Sequence, residues 1–372
     1  MNLKKILWPD ANDCTWNDWR WQFKNRLRGT EGLKKLGALF KKDLSHLDGV
    51  IRQYKWASTP YYLNLIQDTN LHADPIGRQI IPSLEEERKP SHEFFDPDPL
   101  KERLYSPIPG LIHRYKDRIV ILASGICASY CRHCNRKRTW KRREHISLGN
   151  KTLELIKEYL TANPRIREVL ISGGDPLMLP LSSLKRLLFF LRSLATIQVI
   201  RIGTRVPVVL PMRINEEVCS LLKACRPLWL NTHFNHPREI TPEASRAIDK
   251  IQLAGIPVSN QTVLLKGVND NFETLHSLFC KLQSVMVRPY YLFQCDQVMG
   301  TRHFWVPLSK GIGIMKRMWG DTGGMCMPNF VADLPGGYGK ARLLPSHLLE
   351  MEAGKECIFY TFEGKIVKVK YP

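Results

Sequence analysis

Arg118-Ile-Val-Ile-Leu-Ala-Ser-Gly-Ile-Cys-Ala-Ser-Tyr-Cys-Arg-His-Cys134 decides how this sequence is read. Its opening residues, 118–123, are rich in β-branched and apolar side chains and predict a strand. Directly after them come Cys127, Cys131 and Cys134 in the spacing CxxxCxxC. A loop at the end of a strand lets three thiolates converge on one point. Three ligands are one short of the usual four for an iron–sulfur cubane, so one iron would stay open to a small chelating molecule. The competing reading is a structural zinc knuckle. Zinc asks for a fourth Cys or His, and His133 is badly placed between two ligands. The spacing favours iron–sulfur and leaves zinc open.

Outward from this stretch, short β-rich runs alternate with helical patterns. Residues 168–172, 197–202, 228–232, 257–263 and 288–293 read as strands, with 206–210 extending the third strand region. Helical patterns cover 153–161, 181–194, 215–225, 242–254 and 272–283. This order predicts βαβ units, a parallel sheet and an α/β barrel with its site at the C-terminal strand ends. Upstream, residues 1–110 are rich in Trp, Tyr, Pro and charge. Leu27, Leu33, Leu36, Leu39 and Phe40 predict short helices with turns at Gly29, Gly32 and Gly37. That region reads as a helical and extended collar, 111–345 as the barrel, and 346–372 as a short β segment. The alternation around Glu363-Gly364 predicts a hairpin there.

Composition narrows the class. Of 372 residues, 44% are hydrophobic and 24% charged, which fits a soluble globular protein and excludes wholesale disorder. Lys and Arg number 55 against 35 acidic residues, and the resulting +20 attracts anions. No apolar run approaches the ~20 residues of a membrane span, so no membrane association is expected. Residues 1–10 lack the apolar run of a secretory signal. Ten cysteines spread along a long chain, with three clustered, point to metal or redox usage in a reducing cytosol. A cytoplasmic location is expected.

Further motifs carry a resemblance. Ser172-Gly173-Gly174-Asp175 follows the second strand, where it resembles the Gly-Gly-acid motif of the radical S-adenosylmethionine superfamily, with Asp in place of the usual Glu. Asp18-Trp-Arg-Trp-Gln22, Pro109-Gly-Leu-Ile-His-Arg-Tyr115, Arg201-Ile-Gly-Thr-Arg205, Trp229-Leu-Asn-Thr-His-Phe-Asn-His-Pro237, Arg288-Pro-Tyr-Tyr291, Gln294-Cys-Asp296 and Asp333-Leu-Pro-Gly-Gly-Tyr-Gly-Lys340 complete the set. Together they resemble the lysine 2,3-aminomutase family. The fold this implies is a partial (β/α) barrel of the radical S-adenosylmethionine type.

The implied activity is that of an isomerase converting L-lysine to β-lysine through a 5′-deoxyadenosyl radical. The resemblance implies a [4Fe-4S] cluster on Cys127, Cys131 and Cys134. It implies S-adenosylmethionine near Ser172, Gly173, Gly174, Asp175, His233 and Gln261. It implies pyridoxal phosphate on Lys340, with Arg114 and Arg118 at the phosphate and Tyr115 beside the ring. Arg136 matches the binder of the substrate carboxylate, and Asp296 and Asp333 match the pair that grips its ε-ammonium. Asp333 also reads as a turn residue, His236 as a cap for the loop before Pro237, and Lys340 as a surface amine. A flavodoxin or ferredoxin as electron donor and a homo-oligomeric state are expected.

Two departures pull the reading apart. The Cys-rich zinc motif of fermentation-type members is missing before Tyr371-Pro372, and Asn271 stands where the family has a partner Cys, so no zinc is expected. A zinc-free relative makes β-lysine for elongation factor P but lacks the full Asp pair kept here. An aminomutase making R-β-lysine for that factor is therefore the alternative. A different class, a basic RNA-binding or RNA-modifying protein, is raised by Arg136-Lys-Arg-Thr-Trp-Lys-Arg-Arg143 and the net charge.

Overall fold

Alternating side chains make each β-rich run a strand with two distinct faces. The computed structural model describes residues 2–87, 95–140, 145–146, 148–344, 346–351, 356–361 and 363–370. In chain order the strands of its main sheet are β1 (Leu111–Tyr115), β2 (Arg118–Ser124), β3 (Glu168–Gly173), β4 (Val199–Gly203) and β5 (Leu228–Thr232). They continue as β6 (Val258–Leu264), β7 (Arg288–Gln294), β8 (Asn329–Leu334) and β9 (Gly339–Arg342). These nine strands lie side by side in the same order. β2 to β8 are parallel, while β1 and β9 fold back as antiparallel edges. Helices at Asn150–Ala162, Leu181–Arg192, Glu216–Ala224, Pro242–Leu253, Phe272–Ser284 and Leu308–Asp321 make the crossovers.

The sheet curls until its ends meet without pairing. Arg114 on β1 lies 3.7 Å from Asp333 on β8. A side chain built on Gly339 of β9 would sit 3.3 Å from the Tyr115 hydroxyl. Ile121, Val169, Ile171, Ile200, Ile202, Leu228 and Leu230 are buried in one core with the apolar faces of the helices. Their neighbours of opposite parity, among them Val120, Leu170, Ser172, Arg201, Asn231, Ser259 and Gln261, line an interior chamber of about 700 Å³. The α/β barrel expected from the sequence is therefore present, and it is hollow.

Two expectations need correction, and the basic run that raised RNA binding has a different setting from a surface strip. Residues 206–210 do not extend a strand: Val206–Val209 forms a helical turn. Pro207 lacks an amide donor for a ladder and suits a first helical turn. Gly29, at φ 57°, turns the chain into a helix, but Gly32 and Gly37 do not break it, since Gly29–Phe40 is one helix. A Cβ on Gly32 would come within 2.8 Å of the Trp56 ring and 2.9 Å of the Leu27 backbone, so this glycine serves close packing. The basic run at 136–143 is not a solvated strip over its described part. Arg136 and Arg138 pair with Glu102 at 2.7 and 2.8 Å, and Lys137 pairs with Glu86 at 2.6 Å, all largely buried. Residues 141–143 lie outside the described residues. The tail hairpin is present, with Glu356–Tyr360 antiparallel to Ile366–Lys370. Among the described residues no helix is long and apolar enough to cross a membrane.

The collar is joined to the barrel by a buried ion triplet. Glu86 accepts from Arg132 Nε and Nη2 at 2.9 and 2.6 Å and from Lys137 Nζ at 2.6 Å. Burial pushes Glu86 up, but the two cations outweigh it and hold it at about 2. Removing one member of such a cluster leaves buried charge uncompensated and typically costs about 3–5 kcal/mol. Glu86→Ala should therefore lose about that much in urea unfolding, while Lys35→Ala, which breaks an exposed pair with Glu31, should change stability by less than about 1 kcal/mol. Equal midpoints for the two variants would show that the triplet does not hold the fold.

Candidate active site

The cysteine loop leaves β2 at the C-terminal end of the barrel. Its backbone is pinned by the collar: the Tyr130 amide donates to Ala57 O at 3.0 Å and the Arg132 amide to Gln79 O at 2.8 Å. Arg26 donates to Cys127 O at 2.8 Å, and the Ser58 and Ser129 hydroxyls meet at 3.1 Å. Held this way, Cys127, Cys131 and Cys134 all line the chamber. Burial pushes the Cys127 thiol well up and the Cys134 thiol to about 11, and in both the neighbouring thiols add to the rise. Arg205 Nη1 donates to the Cys131 sulfur at 2.7 Å. Among the described residues no three His, Cys, Asp or Glu side chains close on a single-ion site. The three thiols stand around a chamber wall, a donor set suited to a multi-iron cluster with thiolate ligands.

The Gly-Gly pair lies against this loop. Gly173 has φ 113°, outside the range comfortable for other residues. The Gly174 amide donates to Ser124 O at 2.5 Å and the Asp175 amide to Ile126 O at 2.8 Å. A Cβ on Gly174 would fall 2.6 to 2.9 Å from three backbone atoms of Ile126. Asp175 reaches the chamber, yet both its oxygens are engaged by the protein. They accept from the Leu177 amide at 3.1 Å, the Thr204 hydroxyl at 2.7 Å and the Arg205 amide at 2.8 Å. Burial raises this carboxyl to about 6.

His233 and Gln261 follow at the next strands and line the same chamber. His233 Nδ1 meets Gln261 O at 3.2 Å, and burial with Arg205 nearby lowers the imidazole to about 4, so it is neutral at pH 7. His236 acts as a cap: its Nδ1 accepts the Arg238 amide at 3.2 Å.

A charged cluster occupies the chamber near β1, β8 and β9. Lys340 and Asp333 are cross-strand partners, and Lys340 Nζ donates to Asp333 Oδ1 at 3.0 Å. The turn between them uses Gly336, Gly337 and Gly339 at φ 83°, 86° and 92°. Lys340 thus faces a carboxylate and the Phe293 ring, 5.4 Å away, at the exposed rim of the chamber. Asp333 lies on a strand and not in the turn. Asp296 is pushed up to about 7 by burial and by Asp333, against a hydrogen bond from Asn135 and the charge of Lys340.

Arg136 is held by Glu102, with Nε and Nη2 at 3.1 and 2.7 Å, leaving Nη1 3.5 Å from Ser172 Oγ. Arg118 lies 4.2 Å from the Tyr115 ring centre and pairs with Asp117 at 3.0 Å. Arg114 Nε and Nη1 and the Tyr115 hydroxyl are buried without a hydrogen-bond partner. Unspent buried donors are costly and call for a ligand. Two of these three belong to a guanidinium, which suits an anion.

Comparison with known proteins now bears on this site. A family model described as the radical SAM superfamily matches residues 121–279, and one described as lysine-2,3-aminomutase matches 315–372. The L-lysine 2,3-aminomutase of Clostridium subterminale is 42% identical over 372 residues, covering 100% of this chain and 88% of that protein. This chain belongs to the lysine 2,3-aminomutase family. The L-lysine 2,3-aminomutase of Bacillus subtilis is 40% identical over 366 residues, 98% of this chain and 77% of that protein. The glutamate 2,3-aminomutase of Clostridioides difficile is 37% identical over 361 residues, 95% of this chain and 83% of that protein. The chain is accordingly a radical S-adenosylmethionine isomerase, and its family implies S-adenosylmethionine and a [4Fe-4S] cluster.

Several residues that line or brace this chamber carry no local signal. Glu102 lies in the collar without a motif. Arg205 stands in a motif already quoted but has no metal-ligand or catalytic pattern of its own. Asn231 stands inside the quoted stretch 229–237 but is not singled out there; it lines the chamber with a buried Nδ2 that lacks a partner. The Gly174 contact gives a test. Gly174→Ala should displace the Ile126 backbone and lower iron content below about four per chain after anaerobic reconstitution. Gly313→Ala, with open space around its Cβ, should reconstitute like wild type. Full iron in both variants would show that this contact does not shape the cluster loop.

Proposed function

We propose that this enzyme interconverts L-lysine and β-lysine by a 2,3-amino shift, with the cluster on Cys127, Cys131 and Cys134 and pyridoxal phosphate on Lys340. The observation that carries the reading is one chamber lined by three thiols, Arg136, Asp296, Asp333 and Lys340 together. Bound there, these groups supply one-electron cleavage of S-adenosylmethionine to a 5′-deoxyadenosyl radical and delocalisation of an unpaired electron over a pyridine ring.

The chain's own residues bind and orient. Arg114, with its unspent donors, and Arg118 hold the phosphate, and Tyr115 lies beside the ring. Lys340 supplies the amine, aimed by the hairpin and by Asp333. Ser172, the backbone of Gly173 and Gly174, His233 and Gln261 form the wall for S-adenosylmethionine, with Asp175 bracing the ends of β3 and β4 behind it. Glu102 holds Arg136 from one side, so its remaining edge can meet a carboxylate. Asp296 and Asp333 present two carboxylates to an ammonium, and a substrate ending in a third carboxylate would be repelled. This arrangement supports lysine over glutamate. No zinc enters the proposal.

Anaerobic protein with S-adenosylmethionine, pyridoxal phosphate and dithionite should convert L-lysine to β-lysine and leave L-glutamate unchanged. R-β-lysine on chiral chromatography would shift the physiological role to elongation factor P modification. Borohydride should fix the pyridoxyl group on Lys340, and Lys340→Ala should lose the label. A label on another lysine would overturn the assignment.

Asp296 attracts an ammonium only when ionised, and burial with Asp333 raises it to about 7. The kcat/KM for lysine should therefore climb as pH rises through about 7, and Asp296→Asn should flatten that limb. A charge-assisted contact is worth about 1.5–3 kcal/mol, so the same variant should lose roughly tenfold to a hundredfold in kcat/KM. Wild-type activity in both Asp296→Asn and Asp333→Asn would show that these carboxylates do not hold the substrate.

A further inference from the structure

We infer that Arg205 is a positioning residue for the cluster: its guanidinium fixes the Cys131 ligand through a charge-assisted N–H···S bond and raises the cluster's reduction potential. The inference rests on the placement of the cluster at Cys127, Cys131 and Cys134.

The geometry is unusually complete for one side chain. Arg205 follows β4 and is 7% exposed. Its Nε donates to His233 O at 3.2 Å. Its Nη2 faces the Tyr62 hydroxyl at 2.9 Å, Gln79 Oε1 at 2.5 Å and Glu239 Oε1 at 2.7 Å. Nη1 is thereby aimed at Cys131 Sγ, 2.7 Å away. The counter-charge is anchored as firmly. Glu239 is fully buried and accepts from the amides of Asn235 and His236 at 2.5 and 3.0 Å and from Gln79 Nε2 at 3.1 Å, with the Tyr62 hydroxyl as a further donor.

The other donors near the cluster are of a different kind. Cys134 Sγ accepts from the Arg136 backbone amide at 3.3 Å, which carries no charge. Arg205 alone brings a full positive charge into hydrogen-bond contact with a ligand sulfur among the bonds described here. A guanidinium stays protonated under all working conditions. Its planar fork can serve Glu239, Gln79 and Tyr62 on one side while presenting a fixed N–H on the other, which a lysine ammonium cannot do. Donors and positive charge at a cluster's sulfurs favour the more negative, reduced state, and low polarity magnifies the effect. The collar thus reaches the cluster electrically as well as mechanically, through Tyr62 and Gln79.

The test compares wild type, Arg205→Gln, Arg205→Lys and Tyr62→Phe after anaerobic reconstitution. Iron per chain and the midpoint potential, from titration followed by electron paramagnetic resonance, are the readouts. Arg205→Gln should shift the potential to more negative values. Arg205→Lys should recover part of that shift, because it restores charge without the fork. Tyr62→Phe, which keeps the arginine and loosens its aim, should move the potential the same way by less. Unchanged potential in Arg205→Gln at full iron content overturns the inference. If that variant does not fold, unchanged potentials in both Arg205→Lys and Tyr62→Phe overturn it. Wild-type protein that takes up no iron overturns the cluster placement and this inference with it.

Discussion

The cysteine loop has little regular structure of its own, so its shape is borrowed from a buried carboxylate, Glu86, which ties it to the collar. The pattern recurs twice. Glu102 clamps Arg136 and Arg138, and Glu239 clamps Arg205. In each case an acid held in the protein interior fixes a cation, and two of those cations, Arg136 and Arg205, line the chamber. Taking such ions out of water is expensive, and a hydrophobic pair of equal volume would often be as stable. What the ions provide is direction. A guanidinium held on one edge offers its other edge to the chamber at a defined angle.

This arrangement explains which parts of the molecule were legible in the sequence. The strands after residue 118 announce themselves because the face turned to the helices must be apolar at every second position. CxxxCxxC is legible because its spacing is local. The cations at 136–138 are not legible in the same way. A run of Arg and Lys looks solvated until acids 34, 36 and 51 residues upstream fold over it. Gly32 failed for a related reason: a glycine that turns the chain and a glycine that admits the Trp56 ring look alike in one dimension. Asp175 shows the subtler case. Its position was read correctly as a strand-end motif, but its engagement by Thr204 and Arg205 depends on the neighbouring strand.

The charged end of the chamber follows electrostatic logic of its own. Asp296, Asp333, Lys340 and Arg114 form a nearly neutral cluster before any ligand arrives. Lys340 spends its proton-rich head on Asp333. Were that amine committed to a cofactor, as proposed, Asp333 would lose a cationic partner and be left beside Asp296. Two adjacent acids then repel each other until another cation comes between them. On the proposed reading, cofactor attachment and substrate recognition would be coupled through a single carboxylate.

The hollow barrel has a consequence for how such a protein can change over evolutionary time. Odd and even positions along one strand answer to separate demands: one set is packed against helices, the other looks into the chamber. Inheritance can therefore edit the inward set almost as an independent text while the outward set keeps the same grammar. A relative named for glutamate is 37% identical over 361 residues, so one scaffold carries more than one named activity.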